Sequence, residues 1–129
     1  MSKVFASIKK DLYKIAIKTP TGNEIIADEP LDKGGQDTGF SPKELLAAAL
    51  SACTSATLRM YADRKDWDLQ EVKVETELTE AVGQTLITRK LEFTGNLDQE
   101  QKARLIVIAN ACPVHKILSN PIEIKTELV

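Results

Sequence analysis

The chain has 129 residues, of which 43% are hydrophobic and 28% charged, with a formal net charge of −2 at pH 7. This size and composition are typical of a soluble globular protein, and we expect a single domain over residues 1–129. The nearly neutral charge and the lack of an apolar run of roughly 18 residues argue against nucleic acid and a membrane as partners.

The first 40 residues predict three short strands and a long loop. Alternating apolar residues bounded by turn residues predict strands over Val4–Ile8, Tyr13–Thr19 and Glu24–Asp28. The turn residues that begin at Pro20 predict a hairpin between the second and third strands. The segment Glu29–Phe40 predicts a loop, and a loop of this length in a small domain is often functional.

The first predicted helix has a clear N-terminal signal. Ser41 is placed to cap the helix, Pro42 suits its first position, and Glu44 completes a capping box with Ser41. We expect the helix to end between Asp63 and Asp66. Its predicted apolar stripe, at helical spacing, comprises Leu46, Ala49, Leu50, Cys53, Thr57 and Met60.

Two long strands follow, each with an alternating pattern of period two. One face is expected to carry Val72, Val74, Thr76 and Leu78 from the first strand and Ile87, Arg89, Leu91 and Phe93 from the second. A turn near Gly83 joins the strands, and Gly95 and Asn96 are expected to break the second one.

The C-terminal third predicts two helices and a final strand. Asp98, with Gln101 as its capping-box partner, starts a helix that runs to about Ala111. The residues that this helix is expected to bury are Leu105, Ile106, Ile108 and Ala109. Cys112 and Pro113 open a short helix through Leu118, and an alternating pattern predicts a strand over Ile122–Leu128. The element order predicts an α+β fold with a mainly antiparallel sheet.

The chain has two cysteines, and no apolar signal-peptide core follows the N-terminal lysines, so we expect a cytoplasmic location without a structural disulfide. Cys53 lies mid-helix among small residues, where its spacing alone favours a buried structural cysteine over a reactive one. Cys112 is expected to be the N-cap of the helix that starts at Pro113. Free N–H groups and the helix dipole would favour a thiolate there, although simple capping explains the position equally well.

The only histidine, His115, lies about one helical turn after Cys112. It could exchange protons with that thiol near neutral pH, but a surface position on the helix is the simpler interpretation. Two cysteines and one histidine do not have the spacing of a zinc site, and no nucleotide-binding or GxSxG motif is present.

Two segments, GGQDTGFSPKELLAAALSACTSATLRMYA and ANACPVHKIL, together resemble the OsmC and organic-hydroperoxide-resistance (Ohr) superfamily. The specific parts are the helix that carries Cys53 and the Cys112–Pro113 pair that opens a later helix, and the element order matches along nearly the whole chain. The resemblance implies an OsmC-like fold and an intertwined homodimer. In such a dimer the sheet wraps around two central helices, one from each subunit, and two sites lie at the interface.

The resemblance also implies a thiol peroxidase. Cys53 would attack an organic hydroperoxide and become a sulfenic acid, and Cys112 would then resolve it into an intramolecular disulfide. A dithiol reductant would restore both thiols by exchange. Neither a metal nor an organic cofactor is implied.

Two positions depart from the pattern of the peroxidatic relatives, which pair a glutamate with an arginine. The glutamate lies ten residues before the first cysteine, where this chain has Lys43; Glu44 is one residue later and fits the capping box better. The arginine comes from the N-terminal strands, and this chain has no arginine before Arg59. Lys43 is a candidate cation for lowering the pKa of Cys53.

These departures keep two alternatives to the peroxidase open. One is a non-peroxidatic family member that binds a small hydrophobic or thiol-bearing ligand at the dimer interface. The other is a structural or regulatory dimer in which both cysteines are inert.

Overall fold

The computed structural model describes every residue from Met1 to Val129. The chain forms two compact units, Met1–Leu46 and Ala47–Val129. The first contains a three-stranded antiparallel sheet, and the second contains a two-stranded antiparallel sheet with most of the helical residues. The predicted α+β class with antiparallel sheets is therefore confirmed.

The sheet of the first unit has its strands in the order β1-β2-β3, with β2 in the centre. The strands are β1 (Phe5–Ile8), β2 (Ile15–Lys18) and β3 (Glu24–Ala27). The turn between β2 and β3 is closed by a hydrogen bond from the Gly22 N–H to the Thr19 carbonyl. Gly22 has a φ of +99°, which glycine adopts without strain. All three predicted strands and the predicted hairpin are confirmed.

The long loop after β3 is ordered by one buried carboxylate. Asp28 is 2% exposed, and it accepts hydrogen bonds from the backbone N–H groups of Tyr13, Glu29, Gln36 and Thr38 and from the Thr38 hydroxyl. The Thr38 hydroxyl is the largest of the influences that lower the pKa of Asp28, to about 2. Donors from both ends of the loop thus converge on a single anion.

The helix α1 spans Pro42–Arg64 and ends where the sequence predicts. Its capping box is confirmed, since the Ser41 N–H donates to Glu44 and the Glu44 N–H donates to Ser41 Oγ. The predicted apolar stripe is only partly confirmed. Leu50 is buried as expected, but the other residues that α1 buries are Thr54, Leu58 and Ala62. Small and apolar residues occur on nearly every side of α1, so packing selects the buried face rather than the sequence pattern.

By length and composition alone, α1 could also cross a membrane. Of its apolar stretch, 22% is buried. Core helices of soluble proteins meet the same criterion, and one such helix is weak evidence for a membrane span.

The second sheet is a hairpin of β4 (Asp68–Ala81) and β5 (Gln84–Asn96). The predicted alternation is confirmed, since every residue expected on the inner face is less exposed than its neighbours. Gly95 does not break β5 but lies within it, opposite a register shift between Leu69 and Glu71. Its φ is +141°, and a Cβ atom there would lie 1.9 Å from the Asp68 carbonyl oxygen. Gly95 therefore permits two backbones to approach closely.

Two short helices follow, α2 (Gln99–Ala109) and α3 (Pro113–Leu118). The Asp98 capping box and the Cys112 N-cap are both confirmed, whereas α2 ends two residues before the predicted Ala111. The prediction that Ile106 is buried is wrong, because that side chain is 47% exposed. The face of α2 that packs inward is centred on Leu105 and Ala109, one turn apart, and Ile106 is rotated about 100° away from Leu105.

The predicted strand over Ile122–Leu128 is wrong for this chain. Residues 121–129 have no regular secondary structure, and their side chains are exposed. A strand forms only where a neighbouring strand completes its hydrogen-bond ladder, and no segment of this chain pairs with these residues.

The core of the second unit joins α1, the hairpin and α2. Its buried members are Leu58, Ala62, Leu69, Leu105 and Ala109. This packing fixes the middle of α1 against the C-terminal end of α2. The N-cap of α3 follows directly, so both predicted cysteines are carried by elements that this core orients.

Candidate active site

The two cysteines meet at the start of α3, although they are far apart in the sequence. The Val114 N–H donates to Cys53 Sγ at 3.5 Å, and the His115 N–H donates to Cys112 Sγ at 3.3 Å. Cys53 is also close enough to Cys112 to lower the pKa of that thiol. Both cysteines are reduced. The two sulfur atoms therefore lie in one hydrogen-bonded cluster.

The two sulfurs differ in their access to solvent. Cys112 is fully buried, whereas Cys53 is partly exposed. A reagent that arrives from solvent therefore reaches Cys53 first, and Cys112 is protected from direct attack.

Thr54, the residue after Cys53, forms the buried side of the cluster. Its Oγ1 lies 3.9 Å from Cys112 Sγ and donates to the Leu50 carbonyl at 2.7 Å. The same oxygen accepts a hydrogen bond of 2.8 Å from Arg89 Nη1. A single hydroxyl thus contacts both the buried sulfur and a guanidinium.

Arg89, on the inner face of β5, is the cation of the site. Its Nη1 also donates to the Ala109 carbonyl at 3.1 Å, and its Nη2 donates to Asn110 Oδ1 at 3.0 Å and contacts His115 Nδ1 at 2.6 Å. All these acceptors, like Thr54, are uncharged, so none of them cancels the charge of Arg89.

The contact with Arg89 fixes the hydrogen-bonding role of His115 Nδ1. A guanidinium only donates hydrogen bonds, so Nδ1 accepts in this contact and the ring hydrogen of this tautomer lies on Nε2. The interpretation of His115 as a surface residue is wrong, because the side chain is half-buried and its ring contacts Arg89. His115 reaches Cys112 through its backbone N–H rather than through the ring.

Competing influences act on the pKa of Cys112. Burial is the largest and raises the pKa, whereas the His115 N–H, the Cys53 thiol, the Thr54 hydroxyl and the charge of Arg89 each lower it. The four lowering influences together outweigh burial and hold the pKa of Cys112 below its ordinary value, because each of the four stabilises the thiolate. The thiolate of the buried sulfur is thus easier to form than that of an ordinary cysteine.

Lys43 and Glu44 lie in the first turn of α1, about three turns before Cys53. The Ser41 N–H and the Ser41 hydroxyl lower the pKa of Glu44, as expected for a carboxylate that caps a helix. A supporting role of either residue at the sulfurs stays a prediction.

A cleft of about 300 Å³ opens beside the cluster. Its apolar lining includes Leu50, Leu86, Ile87 and Leu118, and its polar lining includes Arg89 and His115. A larger hollow of about 800 Å³ lies in the first unit beside Asp28, and neither cysteine lines either space. No group of three or more His, Cys, Asp or Glu side chains is placed to hold a metal ion.

The sequence interpretation missed Arg89, Thr54 and Asn110 as site residues. Arg89 had a detectable signal, because it occupies an inward position of β5 between Ile87 and Leu91, where an arginine needs polar partners. Nothing in the sequence marks Thr54, which lies next to Cys53 in a helix rich in small residues.

A family model described as "OsmC-like protein" matches residues 34–127 of the chain. No curated protein sequence matches this chain. The matched range includes both cysteines and Arg89.

Solved structures with the same fold include a protein from Psychrobacter arcticus 273-4, described as an osmotic stress induced and detoxification response protein. It is 26% identical with a TM-score of 0.78, over 91% of this chain and 88% of that one. An OsmC-like protein from Mycoplasma pneumoniae is 19% identical with a TM-score of 0.77, over 92% and 86%. The organic hydroperoxide resistance protein OhrB of Bacillus subtilis is 24% identical with a TM-score of 0.63, over 92% and 90%.

Proposed function

The chain belongs to the OsmC-like family, and on this premise we propose that it reduces organic hydroperoxides through Cys53 and Cys112. Membership of the family, whose solved structures include proteins named for hydroperoxide resistance, supports a role in thiol redox chemistry and peroxide stress. The observation that carries the proposal is that a partly exposed sulfur and a buried one with a lowered pKa accept hydrogen bonds from adjacent N–H groups at the start of α3.

The first step is the activation of Cys53. Cys53 gives up its proton to solvent, and its sulfur keeps the hydrogen bond from the Val114 N–H. The Cys53 thiolate then attacks the distal oxygen of the hydroperoxide, and the O–O bond breaks. The leaving alkoxide takes up a proton and departs as the alcohol, while Cys53 is oxidised to a sulfenic acid.

The second step is resolution. The Cys112 thiolate attacks the sulfur of Cys53, the S–O bond breaks, and hydroxide leaves and is protonated to water. The disulfide so formed is reduced by a dithiol, which becomes a disulfide itself. The cytoplasm, our proposed compartment, keeps such reductants available.

Intact-mass spectrometry tests this proposal directly. One equivalent of cumene hydroperoxide should remove two hydrogen atoms from the reduced protein, as expected for one disulfide. Cys112→Ser should instead gain one oxygen atom at Cys53, and Cys53→Ser should remain unchanged because its remaining sulfur is buried. An unchanged mass and thiol count in the wild-type protein would exclude the peroxidase.

The cleft beside Arg89 and His115 favours one alternative, the binding of a small hydrophobic or thiol-bearing ligand. Its lining combines apolar side chains with polar ones and the cation Arg89, which suits a small ligand with an apolar body and a polar end. Octanoate and octanethiol are suitable probes, because binding to the folded state raises the melting temperature by mass action. The alternative requires such a rise without any change in the thiol count after hydroperoxide, and it fails if neither probe shifts the melting temperature.

We further propose that the chain acts as a homodimer and as one OsmC-like domain per subunit. Within the second unit, large apolar side chains remain 47–60% exposed, at Met60, Ile106, Val107 and Ile117. Apolar surface of this kind commonly marks a protein interface.

A further inference from the structure

We propose that Arg89 is the positioning cation of this site: held by His115 and Asn110, it directs the Thr54 hydroxyl and its own charge toward the buried sulfur. The functional importance of this role rests on the proposed peroxidase, but the role itself concerns only the ionisation of the thiols. The N-terminal strands of this chain contain no arginine, and Arg89 would supply the positive charge from β5 instead.

The first argument is the continuity of contacts. Arg89 Nη1 donates to Thr54 Oγ1, and the same oxygen lies next to Cys112 Sγ. The hydroxyl is fully buried, so water does not compete for it. A donor fixed on one side of the hydroxyl leaves its hydrogen and remaining lone pair for Leu50 and Cys112.

The second argument is the fixed orientation of the guanidinium. Its two Nη groups make four contacts, with acceptors on α1, at the C-terminal end of α2 and on α3. A planar fork that reaches several acceptors at once is a property of arginine, and the single ammonium of lysine cannot reproduce it. His115 is one of these acceptors, because its Nδ1 receives the hydrogen bond from Nη2.

The third argument is the charge itself. A carboxylate partner would neutralise Arg89, but the four acceptors are a hydroxyl, a carbonyl, an amide and a neutral imidazole. In a half-buried site a charge without a charged partner acts strongly on nearby ionisable groups. Beyond His115, which Arg89 contacts directly, the ionisable groups of this site are the two thiols, and Arg89 lowers the pKa of Cys112.

The rival explanation is that Arg89 only braces four elements together. The ultraviolet absorbance of the thiolate, followed across pH, separates the two explanations because a brace does not change the titration. Arg89→Gln should reduce the thiolate population at neutral pH about tenfold, which corresponds to about one pKa unit. Arg89→Lys should restore part of this loss, since it keeps the charge but not the fork.

Lys90→Gln is the matched control. Lys90 is the next residue of β5, it is exposed, and it pairs with Glu75 at 3.8 Å on the outer face. Removing this charge should leave the thiolate titration unchanged. If Arg89→Gln lowers the melting temperature but leaves the titration at its wild-type position, Arg89 is only a brace and the proposal is overturned.

A milder variant covers the case in which Arg89→Gln does not fold. Asn110→Ala removes one exposed acceptor of Arg89, so a smaller shift in the same direction is expected, and no shift would contradict the proposal. These titrations use no hydroperoxide. A shifted titration in a protein that hydroperoxide does not oxidise would preserve the role of Arg89 and exclude the peroxidase.

Discussion

The hydroxyl of Thr54 is the smallest group on which the chemistry of this site depends. It has one hydrogen and two lone pairs, and it contacts the Leu50 carbonyl, the Arg89 guanidinium and the Cys112 sulfur. When Cys112 is a thiol, the hydroxyl can accept from sulfur and donate to Leu50. When Cys112 ionises, the hydroxyl hydrogen can rotate toward the sulfur and stabilise its charge.

Thr54→Val should therefore reduce the fraction of Cys112 that is ionised, without a large loss in the free energy of unfolding. Valine fills the same volume but removes the hydrogen-bonding group, and the expected fall in the thiolate population at neutral pH is roughly threefold. The effect is modest because the contact with sulfur is long, at 3.9 Å. The measurement is the ultraviolet titration of the thiolate.

The same substitution at Thr57, three residues later on α1, is the control for Thr54→Val. Thr57 is half-buried, and its side chain lies outside the hydrogen-bonded cluster around the sulfurs. Thr57→Val should titrate like the wild-type protein. Equal titrations of the two variants would show that the hydroxyl of Thr54 has no influence on the sulfurs.

At the residue scale, the sequence could identify the sulfurs but not their surroundings. Cys112 was predictable as an N-cap because a proline follows it, and that cap places its sulfur on the His115 N–H. Which side chains surround the sulfurs depends on the rotation of α1 and on the register of β5. Neither of these is encoded locally, and Thr54 and Asn110 therefore remained hidden.

The loop between β3 and α1 is the element whose order depends most on one ionised group. The folded pKa of Asp28, about 2, lies below its ordinary value of 3.8, so the unfolded chain binds the proton more readily. The carboxylate therefore stabilises the fold fully above about pH 4, and this contribution is lost as the pH falls through about 2.

Asp28→Asn should lower the melting temperature at neutral pH, because one side of the amide would present N–H groups to the donors of the loop. The gap to the wild-type melting temperature should then shrink as the pH falls from about 4 to about 2, where the wild-type carboxylate is protonated. Asp32→Asn, in the same loop but exposed, is the control and should show little gap at any pH. A gap for Asp28→Asn that is constant down to pH 2 would contradict the assigned role.

The β4–β5 hairpin provides a second prediction at this scale. It concerns the end away from the turn, where the backbones of Gly95 and Asp68 lie close together. Gly95→Ala should destabilise the protein by about 2–4 kcal/mol, because its Cβ would collide with the Asp68 carbonyl and its φ is positive. Gly83→Ala, in the turn, should cost only about 1 kcal/mol, since nothing lies within 4 Å of its Cβ position. Urea unfolding measures both, and equal losses would argue against the collision.

At the element scale, local sequence signals predicted where the helices start, whereas the faces that pack against other elements could not be predicted from the sequence. The capping boxes at Ser41 and Asp98 involve residues three apart, so they are visible in the sequence, and both are formed. The buried face of α1 depends on what packs against a helix that is apolar nearly all round. The segment Ile122–Leu128 has the alternation of a strand, but pairing requires a partner that the pattern does not specify.

At the scale of the whole molecule, the exposed face of α1 is the feature that a single chain does not explain. Ala49, Ala52, Ala56 and Met60 follow one another at helical spacing, and all four are exposed. Small residues allow a second helix to approach closely, and the resemblance of the sequence implies a dimer around two central helices. The alternating and exposed C-terminal segment is likewise consistent with pairing to a second copy.

Light scattering during gel filtration should therefore give twice the 14.2 kDa chain mass at low micromolar concentration. Ala56→Glu places a charge in the middle of the exposed face of α1, where burial against a second copy would leave it unpaired, and it should yield monomer or unfolded chain. Ala81→Glu is the control: it lies at the exposed turn of the β4–β5 hairpin, where a carboxylate stays solvated, and it should remain dimeric. A folded wild-type monomer at these concentrations, or an Ala56→Glu variant that is as dimeric as Ala81→Glu, would show that α1 does not form the interface.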